Sequence, residues 1–402
     1  MSQSVATPLI VYGASWCPDC RRAKEFLSAH RAAYEWVDLE AHPEQVVQVE
    51  SRNAGKRIIP TIVFPDGSFL VEPSNDELAE KLGLVRDPQS SAYDLVIMGG
   101  GPTGLTTAIY GARENLSVLI VERSAPGGQA AVTERLDNYP GFPDGVSGAE
   151  LAGRMTEQAR RYGVEILQAV AVTGIEVSEG GVTVDLSTGR QVSARALLLA
   201  SGSTYRRTGA HGESGLIGAG IHFCATCDGP FYRGAVELTV IGGGNSGLEE
   251  GLFLTQFAEH VTVVQAGPEL TASRLLQDKV LDHPRMSVLL DTSVASFNAD
   301  GAGKLTSLSL VRGVEEFEHA TSGAFIFIGL DPNSRVVADV VELDERGFIL
   351  TDERLSTSMP GVFAAGDVRA GSTKQIASAV GEGAAVALQL RYYLDAQLDA
   401  AL

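Results

Sequence analysis

The sequence of 402 residues predicts an α/β protein, with a small N-terminal domain followed by two Rossmann-like three-layer dinucleotide-binding domains. Two observations predict this class. A buried strand, a glycine-rich loop, a helix and a further strand follow one another in the same order twice, beginning near residues 94 and 236. A shorter alternation of strands and helices precedes these units, and a polar stretch separates it from them.

The N-terminal domain is predicted over residues 1–84. Its apolar strand at 9–12 runs into the sequence Trp-Cys-Pro-Asp-Cys, and helix-forming residues follow from 21 to 30. A second strand, a helical stretch and an apolar segment at 57–64 complete the alternation. Residues 85–92 are polar and include a proline, so we expect an exposed linker there.

The first glycine-rich loop has the context of a dinucleotide site. Gly99, Gly101 and Gly104 follow a strand and open a helix, and Glu122 ends the next strand. Glycines at this spacing allow a tight turn, a close approach of the backbone to a diphosphate and close packing of helix on strand. The helix N-terminus offers N–H groups to the phosphates, and the acid can bind ribose hydroxyls. A tight turn without a ligand is the alternative.

The second glycine-rich loop has the same context but a different ending. Its predicted nucleotide contacts are Gly242, Gly244, Asn245 and Gly247. The position that corresponds to Glu122 holds Gln265, and no arginine cluster follows to bind a 2′-phosphate. A nucleotide can still bind through its diphosphate, so we expect a site for NADPH or NADH with the preference left open. A site that has lost its nucleotide is the alternative.

The four cysteines form two C-x-x-C pairs, Cys17 with Cys20 and Cys224 with Cys227. A secreted disulfide scaffold would be shorter and would spread its cysteines along the chain. Zinc is the other alternative, but the pairs are far apart and neither has a nearby cysteine or histidine to complete four ligands. The pairs therefore predict two redox dithiols and no metal site.

The first dithiol lies where a reactive thiol is expected. Cys17 immediately precedes a helix, whose N-terminus lowers the pKa of a thiol and leaves the sulfur accessible. Cys20, one turn later, can resolve a mixed disulfide. Pro60 is a candidate for a cis-proline beside this dithiol, and an ordinary proline at a strand edge is the alternative.

The second dithiol lies just before the second glycine unit and is followed by an acid. If the first unit binds a flavin, one sulfur of Cys224 and Cys227 can react with the flavin ring while the other exchanges with an outside disulfide. Asp228 can then protonate the leaving thiolate as a general acid. Capping of a local turn is the alternative role of Asp228.

Composition excludes several classes of protein. Hydrophobic residues make up 44% and charged residues 20% of the chain, which is sufficient for a buried core. The net charge of −19 disfavours nucleic acid and anionic membranes as partners. No run of about 18 apolar residues exists to span a bilayer, and residues 1–13 have neither a basic leader nor an apolar segment with a cleavage site, so we expect no secretory signal there. We therefore expect a cytoplasmic protein.

Residues 94 to about 395 resemble the low-molecular-weight thioredoxin reductase family. The stretches that carry the resemblance are 99–104 (GGGPTG), 127–129 (GGQ), 138–141 (NYPG), 224–229 (CATCDG), 242–247 (GGGNSG), 325–329 (FIFIG) and 362–368 (VFAAGDV). The resemblance implies an FAD domain in two segments, 93–209 and 329–402, with a pyridine-nucleotide domain at 210–328 inserted between them. It also implies a homodimer and a domain rotation that shows the dithiol alternately to the flavin and to the substrate.

The resemblance assigns roles to individual residues. Cys227 matches the sulfur that faces the flavin and Cys224 the sulfur that exchanges with substrate. The implied FAD contacts are Gly99, Gly101, Gly104, Glu122, Gly128, Gln129, Asn138, Gly366, Asp367, Gln375 and Ile376.

Two stretches depart from the family pattern. The basic cluster that binds NADPH is replaced by Gln265, Ala266 and Gly267, and only Arg274 follows as a cation. The segment before the last helix is Lys-Gln-Ile at 374–376, which is more similar to the flavoprotein subunit of alkyl hydroperoxide reductase. That subunit also carries an N-terminal dithiol domain of the thioredoxin fold.

Residues 1–84 resemble a glutaredoxin of the mycoredoxin or NrdH-redoxin type, through the sequences at 16–20, 59–61 and 65–67. The resemblance implies a thioredoxin fold for this domain. The Gly-Gly-x-Asp pattern with which many glutaredoxins bind glutathione is missing, so use of glutathione stays open.

The hypothesis from the sequence is a flavoprotein disulfide reductase. Electrons would pass from NADPH or NADH to FAD, then to Cys224 and Cys227, then to Cys17 and Cys20, and finally to an external disulfide of a protein or a low-molecular-weight thiol. One alternative is a flavin-dependent dithiol oxidase that passes electrons to oxygen. Another is a reductase whose N-terminal domain serves only for docking. The sequence leaves open the final substrate and whether electrons pass within one chain or between two.

Overall fold

The N-terminal unit is built on a four-stranded sheet. The structure is a computed structural model that describes residues 8–133, 135–136 and 138–401, with side chains described to residue 397. The elements are β1 (Leu9–Gly13), α1 (Pro18–Ala29), β2 (Tyr34–Asp38), α2 (Val46–Glu50), β3 (Thr61–Val63), β4 (Phe69–Val71) and α3 (Asn75–Lys81). The strand order is β2-β1-β3-β4, with β1 parallel to β2 and antiparallel to β3. Val11, Leu27, Ile62 and Leu78 form the centre of its core.

The start of α1 is defined by a local hydrogen bond. The helix begins at Pro18 rather than at Arg21, because the sulfur of Cys17 accepts a hydrogen bond from the N–H of Cys20 and acts as the N-cap. Proline is favoured at the first helical position, where its missing N–H costs nothing. The dithiol is thus part of the helix start.

The first dinucleotide unit is a mixed sheet with helices packed on it. Its elements are β5 (Ala92–Met98), α4 (Pro102–Arg113), β6 (Val118–Val121), α5 (Gly148–Arg161), β7 (Glu165–Leu167), β8 (Val172–Ser178), β9 (Gly181–Leu186) and β10 (Gln191–Leu199). The strand order is β7-β6-β5-β10-β9-β8, and β5, β6, β7 and β10 run parallel. Because parallel strands are covered on both faces, β6 (Val-Leu-Ile-Val) is buried along its whole length.

The second dinucleotide unit is joined to the first through a pair of short strands, one where the chain enters it and one where the chain leaves it. Its elements are β11 (Ser203–Tyr205), β12 (Ile221–His222), α6 (Ala225–Asp228), β13 (Ala235–Ile241), α7 (Asn245–Leu254), β14 (Ala258–Val264), α8 (Arg274–Leu281), β15 (Met286–Leu289), β16 (Thr292–Ala299), β17 (Leu305–Arg312), β18 (Glu315–Ala320), β19 (Ala324–Ile326) and β20 (Leu330–Pro332). A parallel sheet has the order β12-β19-β13-β14-β15, beside an antiparallel sheet β16-β17-β18. Strands β11 and β20 pair with each other where the chain enters and leaves the unit.

The C-terminal segment returns to the first dinucleotide unit. It contains β21 (Val362–Ala364) and α9 (Ile376–Ala401). Strand β21 pairs in parallel with residues 197–199 of β10, and α9 packs on α4. The second unit is therefore inserted between two segments that share one sheet, and the α/β class predicted from the sequence is confirmed.

The predicted linker is hydrogen-bonded to the first dinucleotide unit. The carbonyl of Val85 accepts from the N–H of Gln168 at 2.7 Å, and the N–H of Gln89 donates to Glu165 at 2.8 Å. Its last residue, Ala92, already belongs to β5. Polar composition predicted exposure of this segment but did not reveal these contacts, since they depend on tertiary packing.

None of the described helices is both long and apolar enough to cross a membrane.

Candidate functional site

A cavity of about 1330 Å³ lies between the two dinucleotide units. Pockets for drug-sized ligands measure about 300–1,000 Å³, so this cavity has room for a larger molecule. Most of the FAD contacts and the second dithiol, as predicted from the sequence, line it: Gly99, Gly101, Glu122, Gly128, Gln129, Asn138, Cys224, Cys227, Asp228, Asp367, Gln375 and Ile376. The predicted contacts Gly104 and Gly366 are not among the lining residues.

The first glycine loop forms a cradle between β5 and α4. A side chain at Gly104 would collide with the carbonyl oxygen of Gly99, so the helix can pack this closely only on glycine. Gly99 has a φ of 109°, which favours glycine. Gly101 is the N-cap of α4, and a Cβ there would meet nothing within 4 Å. The space in front of the helix N-terminus is thus open to the cavity.

Glu122 connects the glycine loop to the end of β6. One carboxylate oxygen accepts from the N–H of Gly100 at 2.7 Å, and the other accepts from the N–H and the hydroxyl of Ser124 at 2.8 and 2.9 Å. The side chain is buried, with 7% exposure, yet it borders the cavity. A carboxylate has about four lone-pair sites, so acceptor capacity is left for a ribose hydroxyl.

Gly366 and Asp367 follow β21 at the cavity wall. The N–H of Gly366 donates to the side chain of Glu382 at 2.7 Å. Gly366 therefore supports the cavity wall without lining the cavity itself. Burial raises the pKa of Asp367, and the nearby charge of Lys374 partly opposes this. Lys374 donates to the carbonyl of Asp367 at 2.6 Å, which orders the turn before α9.

The second dithiol lies against the first dinucleotide unit. Cys224 and Cys227 are joined in a disulfide at the start of α6, where Cys224 is the N-cap. The amide of Asn138 donates to the sulfur of Cys227 at 3.7 Å, and the amide of Gln375 donates to the sulfur of Cys224 at 3.8 Å. Asn138 and Gln375 are also hydrogen-bonded to each other at 3.1 Å. Two predicted flavin contacts therefore touch the disulfide.

Asp228 belongs to a buried polar cluster with His222 and Tyr232. The Nδ1 atom of His222 lies 3.4 Å from the carboxylate of Asp228, and its Nε2 atom lies 2.7 Å from the hydroxyl of Tyr232. His222 and the Asp228 side chain are 8% and 14% exposed. Sequence reasoning assigned no role to the histidine, because a single histidine gives no pattern. The structure places it in position to orient Asp228.

Tyr205 lies in a buried position close to several carboxylates, and both features raise its pKa. Burial raises the pKa of Tyr205 to about 12, and the carboxylates of Asp367, Asp228 and Glu250 add to the effect. Tyr205 lines the same cavity. Its hydroxyl therefore stays protonated at neutral pH and can donate a hydrogen bond.

The second glycine loop repeats the geometry of the first. A side chain at Gly247 would collide with the carbonyl oxygen of Gly242, and Gly244 is the N-cap of α7. The side chain of Gln265 accepts from the N–H of Gly243 at 2.9 Å, which is the contact that Glu122 makes in the first loop. Asn245 accepts from the N–H of Ser273 at 2.7 Å. These four predicted contacts do not line the cavity of the first unit and form a separate candidate site.

No basic cluster adjoins the second loop among the residues whose positions the structure describes. Arg274, the cation singled out from the sequence, is ion-paired with Asp278 at 3.1 Å, and its side chain is 84% exposed. Thr271 lies beside Gly244: its hydroxyl oxygen is 3.6 Å from the position that a Cβ of Gly244 would occupy. The side chains here can hydrogen-bond a nucleotide, but an exposed ion pair offers little to a phosphate.

The first dithiol is held at the start of α1 and is not among the residues that line the cavity. Cys17 and Cys20 are both reduced, with 5% and 1% exposure. The expectation of an accessible Cys17 sulfur is wrong for this arrangement, because the thiol is buried at the helix start. Burial raises the pKa of Cys20 to about 12, and the hydrogen bond to Cys17 adds to this. The peptide bond between Ile59 and Pro60 is cis, as expected for this proline.

Three cavity residues come from the N-terminal unit and were not predicted. Ser28, Ala29 and Arg31 lie at the end of α1 and line the same cavity as Glu122. No sequence signal pointed to them, because they match no motif and their role depends on how two units pack. Among the residues with described positions, no group of three or more His, Cys, Asp or Glu side chains is placed to hold a metal ion.

Comparison with known proteins agrees with this architecture. Residues 93–383 match the family described as pyridine nucleotide-disulphide oxidoreductase, and residues 9–70 match the glutaredoxin family. The thioredoxin reductase of Bacillus subtilis (strain 168) is 39% identical over 309 residues, which cover 76% of this chain and 96% of the relative.

The chain is also similar to solved structures of thioredoxin reductases. A thioredoxin reductase from Streptococcus pyogenes MGAS5005 has a TM-score of 0.73 at 38% identity, covering 76% of this chain and 99% of that chain. Thioredoxin reductase from Lactococcus lactis, in a form described as the FR conformation, has a TM-score of 0.52 at 35% identity, covering 75% and 99%. With its fused glutaredoxin domain and its two C-x-x-C pairs, the chain belongs to the pyridine nucleotide-disulphide oxidoreductase family as a thioredoxin reductase-like disulfide reductase.

Proposed function

We propose that the protein takes electrons from NADH or NADPH through FAD to the Cys224–Cys227 disulfide, and passes them through Cys17 and Cys20 to an external disulfide. The family uses a flavin and a pyridine nucleotide. The observation that carries the proposal is the position of the disulfide in the cavity, in contact with Asn138 and Gln375. We assign FAD to residues 93–209 with 329–402, and the nucleotide to residues 210–328.

The cavity residues fit FAD. The open space at Gly101 and the N-terminus of α4 suit a diphosphate, and Glu122 suits the ribose beside it. Asn138 and Gln375 would hold the flavin end, since they contact the disulfide that must react there. When bound, FAD supplies hydride acceptance from the nicotinamide and delivery of an electron pair to the disulfide.

The residues of the chain then carry out thiol–disulfide exchange. The thiolate of Cys224 attacks Cys17 in the Cys17–Cys20 disulfide, which forms a Cys17–Cys224 bond and releases Cys20 as a thiolate. Cys227 attacks Cys224, which restores the Cys224–Cys227 disulfide and frees Cys17. Asp228 passes a proton to the leaving thiolate in this proposal, and His222, whose Nδ1 atom lies 3.4 Å from the Asp228 side chain, orients it.

The exchange requires the N-terminal unit and the second dinucleotide unit to move relative to each other, so that Cys17 and Cys224 can meet. In this arrangement Cys224 faces the cavity, and α1 presents its C-terminal end to the same cavity. Twelve helical residues span about 18 Å, so Cys17 lies roughly that far from the helix end that touches the site. Two relatives of nearly equal identity differ in TM-score, 0.73 against 0.52, which supports more than one arrangement of the same domains in this family.

We also infer a homodimer. Tyr110 on α4 and Leu388 and Tyr392 on α9 are large apolar side chains with exposures of 44%, 45% and 58% on two helices that pack together. An apolar surface of this kind favours contact with another subunit. The cytoplasmic location and the identity of the external disulfide stay predictions.

The second candidate function is a dithiol oxidase. The absence of a basic cluster beside the second loop, in the part of the chain that the structure describes, favours weak use of NADPH. Anaerobic reduction of the flavin by NADH, by NADPH and by a dithiol separates the candidates. A reductase is reduced faster by a pyridine nucleotide, and an oxidase is reduced only by the dithiol and reoxidised by oxygen.

A further inference from the structure

The end of α1 in the N-terminal unit lies on the first dinucleotide site. Ser28, Ala29 and Arg31 line the cavity together with Glu122. Ala169, which follows β7, packs against the hydrophobic core of the N-terminal unit. The hydrogen bond from Gln168 to Val85 holds the two units together beside this contact. The N-terminal unit therefore forms one wall of the site.

Arg31 is fixed by a left-handed turn at the end of the helix. Its N–H donates to the carbonyl of Ser28, and the N–H of Ala32 donates to the carbonyl of Leu27, at 3.1 and 2.9 Å. This is the Schellman pattern, in which the residue after the C-cap is usually glycine. Arg31 has a φ of 55°, a conformation that disfavours residues with a side chain. The backbone preference here is for glycine, so the arginine side chain needs another explanation.

The guanidinium lies over the segment that covers the first glycine loop. Its Nη2 atom is 3.3 Å from the position that a Cβ of Gly127 would occupy. The N–H of Gly127 donates to the carbonyl of Gly100 at 2.6 Å, and a Cβ of Gly128 would lie 3.3 Å from Gly101. The positive charge is therefore close to the open space in front of α4.

The charge of Arg31 lacks an ion-pair partner among the described residues. The carboxylate of Glu122 is close enough to oppose the lowering of the Arg31 pKa that burial causes, but it forms its hydrogen bonds with Gly100 and Ser124 instead. An arginine guanidinium binds phosphate through two parallel hydrogen bonds. An unpaired guanidinium beside a dinucleotide cradle is thus suited to a diphosphate.

We propose that Arg31 binds the diphosphate and ribose region of the FAD in the first site, so that the glutaredoxin domain supplies part of the flavin pocket. The inference rests on the proposed function, since it requires FAD at this site. One consequence concerns the relay. Because Arg31 and the dithiol are at opposite ends of α1, bound FAD would hold the glutaredoxin domain in place while the nucleotide domain moves toward Cys17.

The experiment compares Arg31→Gly and Arg31→Gln with Lys56→Gln, which removes an exposed charge elsewhere in the same domain. FAD is removed from each purified protein, and its rebinding is measured by quenching of flavin fluorescence. Both Arg31 variants should raise the Kd for FAD about ten- to hundredfold, as expected for loss of a hydrogen-bonded charge. Lys56→Gln should leave the Kd unchanged.

Arg31→Gly separates ligand binding from folding. Glycine suits the left-handed turn, so the Tm of the FAD-free variant should equal or exceed that of the wild type, while the rise in Tm on adding FAD becomes smaller. An unchanged Kd in both Arg31 variants would overturn the inference, as would an equal loss in Lys56→Gln. A wild-type protein that binds no FAD would instead overturn the proposed function.

Discussion

The carboxamide nitrogen of Gln375 lies 3.8 Å from the sulfur of Cys224. Gln375 belongs to the C-terminal segment, which returns to the sheet of the first dinucleotide unit, whereas Cys224 belongs to the inserted second unit. The contact therefore joins the two halves of the proposed electron path. It also means that Cys224 faces the proposed flavin pocket, so the proposed relay requires Cys224 to leave this position before it can meet Cys17.

The open space at Gly101 predicts the effect of one methyl group. Gly101 has φ −74° and ψ −176°, which alanine adopts readily, and a Cβ there meets no protein atom within 4 Å. Gly101→Ala should therefore fold, but its methyl group should occupy the space of the diphosphate and raise the Kd for FAD at least about tenfold. Gly153→Ala, at an equally open position in α5, is the control and should keep normal FAD affinity. Equal FAD binding by Gly101→Ala would show that the diphosphate does not lie there.

The second loop predicts weak discrimination between nucleotides. Gln265 contacts Gly243, and Arg274 is an exposed ion pair, so a 2′-phosphate gains no buried cation. Each missing charged hydrogen bond is worth about 1.5–3 kcal/mol, and we expect kcat/KM for NADH to be at least comparable with that for NADPH. Ala266→Arg should raise kcat/KM for NADPH several-fold and leave that for NADH nearly unchanged. A wild-type preference for NADPH of about a hundredfold, some 2.7 kcal/mol, would contradict this.

The raised pKa of Cys20 predicts a thiol that reacts poorly in the folded protein. With a pKa of about 12, only about one molecule in a thousand carries the Cys20 thiolate at pH 9. Alkylation of the reduced native protein by iodoacetamide between pH 7 and 9 should therefore spare Cys20, whereas the same protein unfolded in denaturant should be labelled there. Above pH 9 the unfolded thiol ionises while the folded one does not, so the reduced domain should lose stability as the pH rises toward 12. Peptide mass spectrometry showing equal labelling of Cys20 in the folded and the unfolded protein would refute the assignment.

The position of Asp228 predicts a defect confined to the dithiol step. Asp228→Asn keeps the size of the side chain but cannot supply a proton, and general acid catalysis contributes about a hundredfold or more. We expect turnover with an external disulfide to fall by about that factor, while anaerobic reduction of the flavin by the nucleotide keeps its normal rate. Stopped-flow absorbance resolves the two steps. Equal slowing of both steps would instead assign Asp228 a structural role.

The sequence predicted the features that depend on local pattern. Both glycine loops, Glu122 and the C-x-x-C pairs have fixed spacing relative to strands and helices, and the structure places them accordingly. The start of α1 was predicted three residues late, because the cap is a cysteine sulfur rather than one of the usual capping side chains.

The features that the sequence did not reveal depend on contacts between distant segments. Arg31 lines the cavity of the first site from another domain, and His222 contacts Asp228 and Tyr232. The burial of Cys17 and the hydrogen bonds of residues 85–92 likewise result from tertiary packing. Periodicity and motif spacing describe local structure, so they contain no information on these contacts.

The relay predicts a specific crosslink. With Cys20→Ser and Cys227→Ser in one chain, neither resolving thiol is available. One equivalent of a small disulfide is added; Cys17 forms a mixed disulfide with one half of it and releases the other half as a thiolate. Cys224 then attacks Cys17 and displaces the second thiolate, so a Cys17–Cys224 disulfide should accumulate as a species cleaved by reductant. Cys20→Ser with Cys224→Ser is the matched control, in which this bond cannot form. Comparison of the crosslink within one chain and between two chains also tells whether the relay acts within a subunit.

The rate of disulfide reduction by Cys17→Ser shows whether electrons pass through the glutaredoxin domain. The protein is reduced by its preferred pyridine nucleotide, and oxidation of that nucleotide is followed with an external disulfide as acceptor. If electrons pass through Cys17, the variant reduces its flavin at the normal rate but loses turnover with the external disulfide. Normal turnover by Cys17→Ser would rule out this path, and the glutaredoxin domain would then serve for docking rather than for electron transfer.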